Sequence, residues 1–158
     1  MLLIADASAL IALTACKQLP LLEKLFDKVV VSSVVYDELT ADLSKPFAKE
    51  LSAYLIDKRI ELDSHNIILL DAYSDAGEIS SMVLFKQLQA DRLLIDDARG
   101  RKVAAVNQIP VIGSMGVLVL AKRKGFIQSA SQSIELMLDA GIYIHPDLVA
   151  HVKQLTNE

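Results

Sequence analysis

Short, wholly apolar runs alternate with helix-like segments along the whole chain, and that alternation leaves few folds open. LLIA (2–5), KVVVSS (28–33), RLLI (92–95) and IPVIG (109–113) contain too few polar positions to leave one face in water. Strands of that kind are buried on both faces, as in a parallel sheet covered by helices. Strands that take turns with helices connect through right-handed crossovers and give an α/β architecture. The expected fold is therefore a three-layer α/β/α sandwich with a mainly parallel central sheet, formed by residues 1–158 as a single domain. Hydrophobic residues are 53% of the chain, aromatics only 5% and Trp is absent, so the core is expected to be Leu, Ile, Val and Ala.

Helix signals fill the gaps. SALIALTA (8–15) has helical character, and Pro20 suits the first turn of a short helix through Leu25 and Phe26. Ser32 or Ser33 can cap VVYDELTA (34–41), and Pro46 opens a helix reaching Ile56. IEL (60–62) is short enough for an edge or connecting strand. DAGEISSMVLFKQLQ (75–89) starts with Asp75 and has Glu78 three residues on, a capping-box arrangement. ARGRKVAAVNQ (98–108) reads as a helix, Gly113 and Gly116 bracket a turn into a helix near 117–124, and two helices (131–139 and 146–155) follow.

The lone cysteine, Cys16, has no partner for an internal disulfide and is expected to pack as a small apolar residue rather than a reactive thiol. No secretion-type leader opens the sequence and no apolar run is long enough for a bilayer, so the expectation is a soluble cytoplasmic protein with no membrane partner. The net charge of −4 is uneven. Residues 98–134 hold no Asp or Glu but carry Arg99, Arg101, Lys102, Lys122, Arg123 and Lys124, which leaves −10 on the remainder. Overall charge disfavours non-specific nucleic-acid binding, whereas the local patch is compatible with phosphate contacts or with solvated helix faces.

In LLIDDARGRK (93–102) two carboxylates, Asp96 and Asp97, stand side by side where a buried strand stops. Repulsion and desolvation oppose that placement unless water or a cation is present. Sites in open α/β sheets form beyond the carboxyl ends of strands. Asp6 follows the first strand, Glu38 lies in the helix after VVV, and Glu78 lies in the first turn of the helix before RLLI. Each has a plainer alternative: Asp6 as a cap for the helix near Ser8, Glu78 as the capping-box partner, Glu38 as a solvated residue no better placed than Asp37, and Asp97 as an N-cap. Together they would repel, and a hard divalent ion, Mg²⁺ or Mn²⁺, removes the conflict. Zinc fits poorly, because Cys16 is isolated and His65, His145 and His151 lack ligand spacing.

The pieces IADASALIAL (4–13), VVSSVVYDEL (30–39), DAGEISSMVL (75–84) and LLIDDARGRKVAAVNQIPVIGSMGVLVLAKRKGFI (93–127) resemble the PIN-domain ribonucleases, and more narrowly their VapC-like toxin branch. They span most of residues 2–127, the last piece being the most specific, while 129–158 lies outside the strong resemblance. The resemblance places the family's four acids on Asp6, Glu38, Glu78 and Asp97, with Ser8 as its small polar site residue. Asp96 would bind metal directly or through water beside Asp6, Glu78 and Asp97. Ser80 and Ser81 stand where Ala or acidic residues are common. What it implies is metal-dependent cleavage of RNA and, frequently, an antitoxin partner and a homodimer. Arg99, Arg101, Lys102, Lys122, Arg123 and Lys124 would then be the candidates for the RNA backbone.

Other readings compete less well. A toxin-like domain that binds without turnover remains the main alternative, though all four acidic positions are filled. A receiver-type phosphoacceptor needs its acidic pair after the first strand, and here the order is reversed. A haloacid-type phosphatase needs a second Asp two residues after the first, where Ser8 stands. A dinucleotide fold lacks its GxGxxG turn, GSMG (113–116) being too short and too late.

Overall fold

The structure, a computed structural model, describes residues 1–63 and 75–158. Five strands form one sheet in the order β3-β2-β1-β4-β5, every pair parallel: β1 (Leu2–Ala5), β2 (Lys28–Ser32), β3 (Arg59–Ile60), β4 (Arg92–Leu94) and β5 (Val111–Ile112). The helices are α1 (Ala7–Ala15), α2 (Leu21–Leu25), α3 (Ser33–Thr40), α4 (Ala48–Leu55), α5 (Ala76–Leu88), α6 (Ala98–Val106), α7 (Ser114–Arg123), α8 (Ala130–Asp139) and α9 (Pro146–Thr156). No helix among the described residues is long and apolar enough to cross a membrane.

Side chains alternate across the sheet, as the two-residue strand period requires. Leu3, Ala5, Val29, Val31, Leu94 and Ile112 enter a large core with α1, α4, α7 and α8. Ile4, Val30, Leu93 and Ile95 enter a smaller one with Met82 and Leu84 of α5 and Val103 and Ala104 of α6. Both faces are covered, and the architecture is the expected α/β sandwich. The terminal helices close the larger core through Ile134, Met137 and Val152, and Glu158 accepts hydrogen bonds from the Ala130 amide (2.9 Å) and the Ser129 hydroxyl at the start of α8.

Two boundaries differ from expectation for physical reasons. Phe47 takes a left-handed conformation (φ 69°), so α4 starts at Ala48 rather than Pro46. Helix α7 starts at Ser114, and Gly116 is helical rather than part of a turn. A Cβ at Gly116 would lie 2.9 Å from Ile112 Cγ1, so the glycine permits close approach of α7 to β5. The expectation about His65 falls outside the described residues.

The strand order reverses at β1: the chain builds β1, β2 and β3 outward on one side and then crosses to β4 on the other. Ile4 and Ala5 of β1 pair with Leu93 and Leu94 of β4, and the Asp6 amide extends the ladder to the Leu94 carbonyl at 2.9 Å. The crevice at such a switch point, beyond the carboxyl ends of the strands, is where open α/β sheets place sites.

Candidate active site at the sheet switch point

Asp6 leaves β1 at that crevice with 3% of its surface exposed. It stands at the N-cap position of α1, yet its side chain makes no capping bond. Its Oδ1 instead accepts a hydrogen bond from Ser81 Oγ at 2.8 Å. Burial pushes its carboxyl up to about 6, against the Ser81 hydrogen bond, and the charges of Asp75 and Glu38 push it the same way.

Glu78 and Ser81 lie three residues apart on α5 and so share a face. The start of α5 is held by Asp75, whose Oδ1 accepts from the Glu78 amide at 2.8 Å. Only that half of the expected capping box is seen, because the Glu78 side chain goes to α6. A Cβ at Gly100 would lie 3.0 Å from Glu78 Cδ and 3.2 Å from its Oε1. Glu78 is 7% exposed, and its carboxyl is pushed up to about 7 by burial first, then by Asp75, Asp97 and Asp6.

A buried hydroxyl relay supports the same end of α5. Ser80 Oγ donates to the Gly77 carbonyl (2.6 Å), so the Ser32 hydroxyl must donate to Ser80 Oγ (2.6 Å). Ser32 Oγ meanwhile accepts from the Val35 amide at 3.0 Å and caps α3. The cap fixes α3, and α3 resolves the ambiguity between its two acids. Asp37 faces Arg59, with Oδ1 3.8 Å from Nη2. Glu38 reaches over the start of α5, its Oε2 2.7 Å from where a Gly77 Cβ would sit and Asp75 Oδ1 3.3 Å from the same point. Burial, then Asp75, raises the Glu38 carboxyl above its ordinary value, with Lys45 opposing.

The adjacent acids after β4 each hold a different helix. Asp97 Oδ1 accepts from the Arg99 and Gly100 amides, both at 2.9 Å, and caps α6. Asp96 Oδ1 accepts from the Ser114 amide (2.7 Å) and its Oδ2 from Ser114 Oγ (2.6 Å), which caps α7 from 18 residues away. The Asp96 amide donates to Ser8 Oγ at 3.3 Å. Two helix N-termini therefore meet two neighbouring carboxylates and offset part of their charge. Asp96→Ala is expected to cost about 1–3 kcal/mol by stranding the buried Ser114 hydroxyl and amide, and Asp96→Asn clearly less. Chemical denaturation of both variants checks this, and equal stability of Asp96→Ala and wild type would refute it.

The basic residues divide between the two ends of the sheet. Arg99, Arg101 and Lys102 are on α6 next to Asp97, and Arg101 Nη1 donates to the Ile95 carbonyl at 3.0 Å. Lys122 and Arg123 end α7, ten residues long, whose start is at Asp96; Lys124 follows and lines a groove with Met1 and Arg92 at the amino ends of β1 and β4. Lys122 Nζ donates to the Gln128 carbonyl.

Asp6, Glu38, Glu78 and Asp97 thus converge, while both oxygens of Asp96 are engaged by Ser114. Two participants were not singled out from the sequence: Ser81, signalled by its three-residue spacing from Glu78, and Asp75, read only as a cap. Among the described residues no three His, Cys, Asp or Glu side chains are gathered tightly enough to hold a metal by themselves. That arrangement still suits Mg²⁺, which keeps several waters and takes only one or two protein carboxylates. The charges acting most strongly on Asp6 and Glu78 are other carboxylates, so the donor set is all oxygen.

Neither the curated proteins nor the solved structures yield a match to this sequence. A family model described as a PIN domain does, over residues 2–158, a stretch that includes the two terminal helices. With nearly the whole length matched, the chain belongs to the PIN-domain family.

Proposed function

We propose that this protein is an endoribonuclease dependent on Mg²⁺ or Mn²⁺, the VapC-like toxin of a toxin–antitoxin pair. PIN domains are generally nucleases, and they typically use divalent metals. The observation that carries the reading is a pair of buried carboxylates, Asp6 and Glu78, from separate elements at the switch point, surrounded chiefly by other acids.

In this reading Asp6 and Glu78 hold the ion, while Asp97 and Glu38 orient its waters. Asp97 Oδ1 is committed to α6, and its side chain is also within hydrogen-bond reach of Glu78. An ion bound there supplies a water of lowered pKa and offsets charge on a phosphoryl oxygen. Ser81 keeps the Asp6 carboxylate aimed, and Ser8 fixes the backbone that carries Asp96 and Asp97. Arg99, Arg101 and Lys102 meet the RNA backbone close to the acids. Lys122, Arg123 and Lys124 could meet only RNA that reaches the opposite end of the sheet. An antitoxin and a homodimer belong to the same proposal.

A non-catalytic PIN-like binding protein is the second reading, favoured by the absence of a three-ligand group among the described residues. Incubating the purified protein with a mixed RNA pool in Mn²⁺ or Mg²⁺, with and without EDTA, separates the two. Cleavage that EDTA abolishes and added Mn²⁺ restores is the expected result. RNA binding without cleavage by the folded protein would move the assignment to the second reading.

A further inference from the structure

A cleft of about 820 Å³ adjoins the acids and is lined by Ser8, Asp97, Arg101, Ser114, Tyr143 and His145 among others. It lies within the size range of small-ligand sites. One wall is the segment 142–145 that links α8 to α9, and its side chains alternate. Ile142 and Ile144 pack on the large core, so Tyr143 and His145 point outward. The segment is pinned at both ends: the Ile142 amide donates to the Met137 carbonyl at 3.0 Å, and His145 Nδ1 accepts from the Asp147 amide at 3.2 Å, capping α9.

Tyr143 is 79% exposed, more than any other large hydrophobic among the described residues. Its ring contributes little to the core, yet its backbone is held by half-buried neighbours on each side. A ring presented this way loses little entropy when something stacks on it, since only two side-chain torsions are at stake. Across the cleft, Arg101 is tethered through Nη1 to the Ile95 carbonyl at the end of β4, and the same nitrogen lies with Asp96 Oδ1 beside Gly113, 3.1 and 2.8 Å from where a Cβ would sit. An aromatic face, an anchored guanidinium and an apolar floor (Ile112, Met115) together match a nucleotide: base, phosphate and sugar. The cleft is continuous with Asp97, which distinguishes it from the more apolar groove at the amino ends of the strands.

We propose that this cleft binds one unpaired base of single-stranded RNA, with Tyr143 as stacking platform and Arg101 as the contact to the adjoining phosphate. The proposal rests on the ribonuclease reading and deepens it: Tyr143 determines how the strand is seated beside the acids.

Binding is measured in Mg²⁺ on an Asp6→Asn background, so that RNA is not consumed. The probes are a short single-stranded oligoribonucleotide and an abasic oligomer of the same backbone length. Tyr143→Ala is expected to weaken the oligoribonucleotide about 5- to 150-fold, the equivalent of one lost base stack, and to leave the abasic oligomer unchanged. Tyr143→Phe should bind like the parent. Tyr143→Trp should also bind like it, and because the chain has no other Trp, quenching of its emission by the oligoribonucleotide but not by the abasic oligomer reads base contact directly. Equal binding by Tyr143→Ala and the parent, or equal loss for both probes, overturns the subsite. Wild-type cleavage is assayed alongside: cleavage with Tyr143-independent binding overturns the subsite alone, whereas neither cleavage nor binding by the parent overturns the ribonuclease reading with it.

Discussion

Asp6→Asn is expected to lower RNA cleavage by at least roughly 10²-fold while making the metal-free protein more stable at pH 8. The two effects have one cause. Asn is nearly isosteric and its amide oxygen can still accept the Ser81 hydrogen bond that Asp6 Oδ1 accepts at 2.8 Å. What disappears is a charge buried among Asp75, Glu38 and Glu78. A carboxyl raised from 3.8 to about 6 is ionised at pH 8 only at a cost of up to about 3 kcal/mol, and the neutral amide avoids most of it. Loss of a divalent-ion ligand explains a fall in activity; general unfolding would lower activity and stability together. Thermal denaturation at pH 8 in EDTA and an RNA cleavage assay in Mn²⁺ are the two measurements. Retained cleavage would remove Asp6 from the active site, and a lower melting temperature would mean that the carboxylate holds the fold instead. Ser81→Ala offers an intermediate: Asp6 keeps its charge but loses the hydrogen bond favouring it, so cleavage should fall with its pH midpoint moved upward.

The sheet was legible because its signal is local. LLIA, KVVV and RLLI are apolar at every buried position, as strands of a sheet covered on both sides are. The Asp75 cap was legible for the same reason, since acceptor and donor lie three residues apart. Long-range events were not. The start of α7 depends on Asp96, 18 residues back, and the sequence near Gly113 and Gly116 suggests only a turn. The same event changes the meaning of the adjacent acids: from sequence, like charges at a strand end call for a cation, but folding brings two helix N-termini to them. The convergence of Asp6, Glu38, Glu78 and Asp97 depends on strand order, which the alternation of elements left open. The choice of Glu38 over Asp37 was open too, because it turns on Arg59 occupying one of them. Ser81 shows the intermediate case. Its spacing from Glu78 was visible, but its partner lies 75 residues away and only the β1–β4 pairing brings them together.

The stability of the metal-free protein should fall between pH 4.5 and 8, and Mg²⁺ should restore part of it at pH 8 but not at pH 5. Asp6 and Glu78 have ordinary values of 3.8 and 4.5 and are raised on folding to about 6 and about 7. Well below pH 3.8 both are protonated in the folded and unfolded chains, and their favourable contribution is whole. As pH climbs, the unfolded chain releases these protons first, so unfolding gains. The contribution is gone once pH has passed the folded values, near 7. The total is on the order of 3 kcal/mol for Asp6 and somewhat less for Glu78, whose setting is nearer solvent. A divalent ion reverses this, because it binds the ionised pair and must displace protons at low pH. At 100 times its dissociation constant an ion adds about 2.7 kcal/mol, roughly half of what the two ionisations removed. Thermal melts at pH 5 and pH 8, each in EDTA and in Mg²⁺, supply the comparison. The Mg²⁺-induced rise should grow from near zero to several degrees, and it should vanish in a double variant carrying Asp6→Asn and Glu78→Gln. A rise of equal size at both pH values, or one that survives in the double variant, would place the ion elsewhere. Exposed acids such as Asp27, Asp42 and Asp57 also titrate here, but their values are lowered on folding, so they act in the opposite sense and at lower pH. The Met1 ammonium, raised by Asp27, acts in the same sense near pH 8, so it is the loss of the effect in the double variant that identifies the buried carboxylates, without any assay of RNA cleavage.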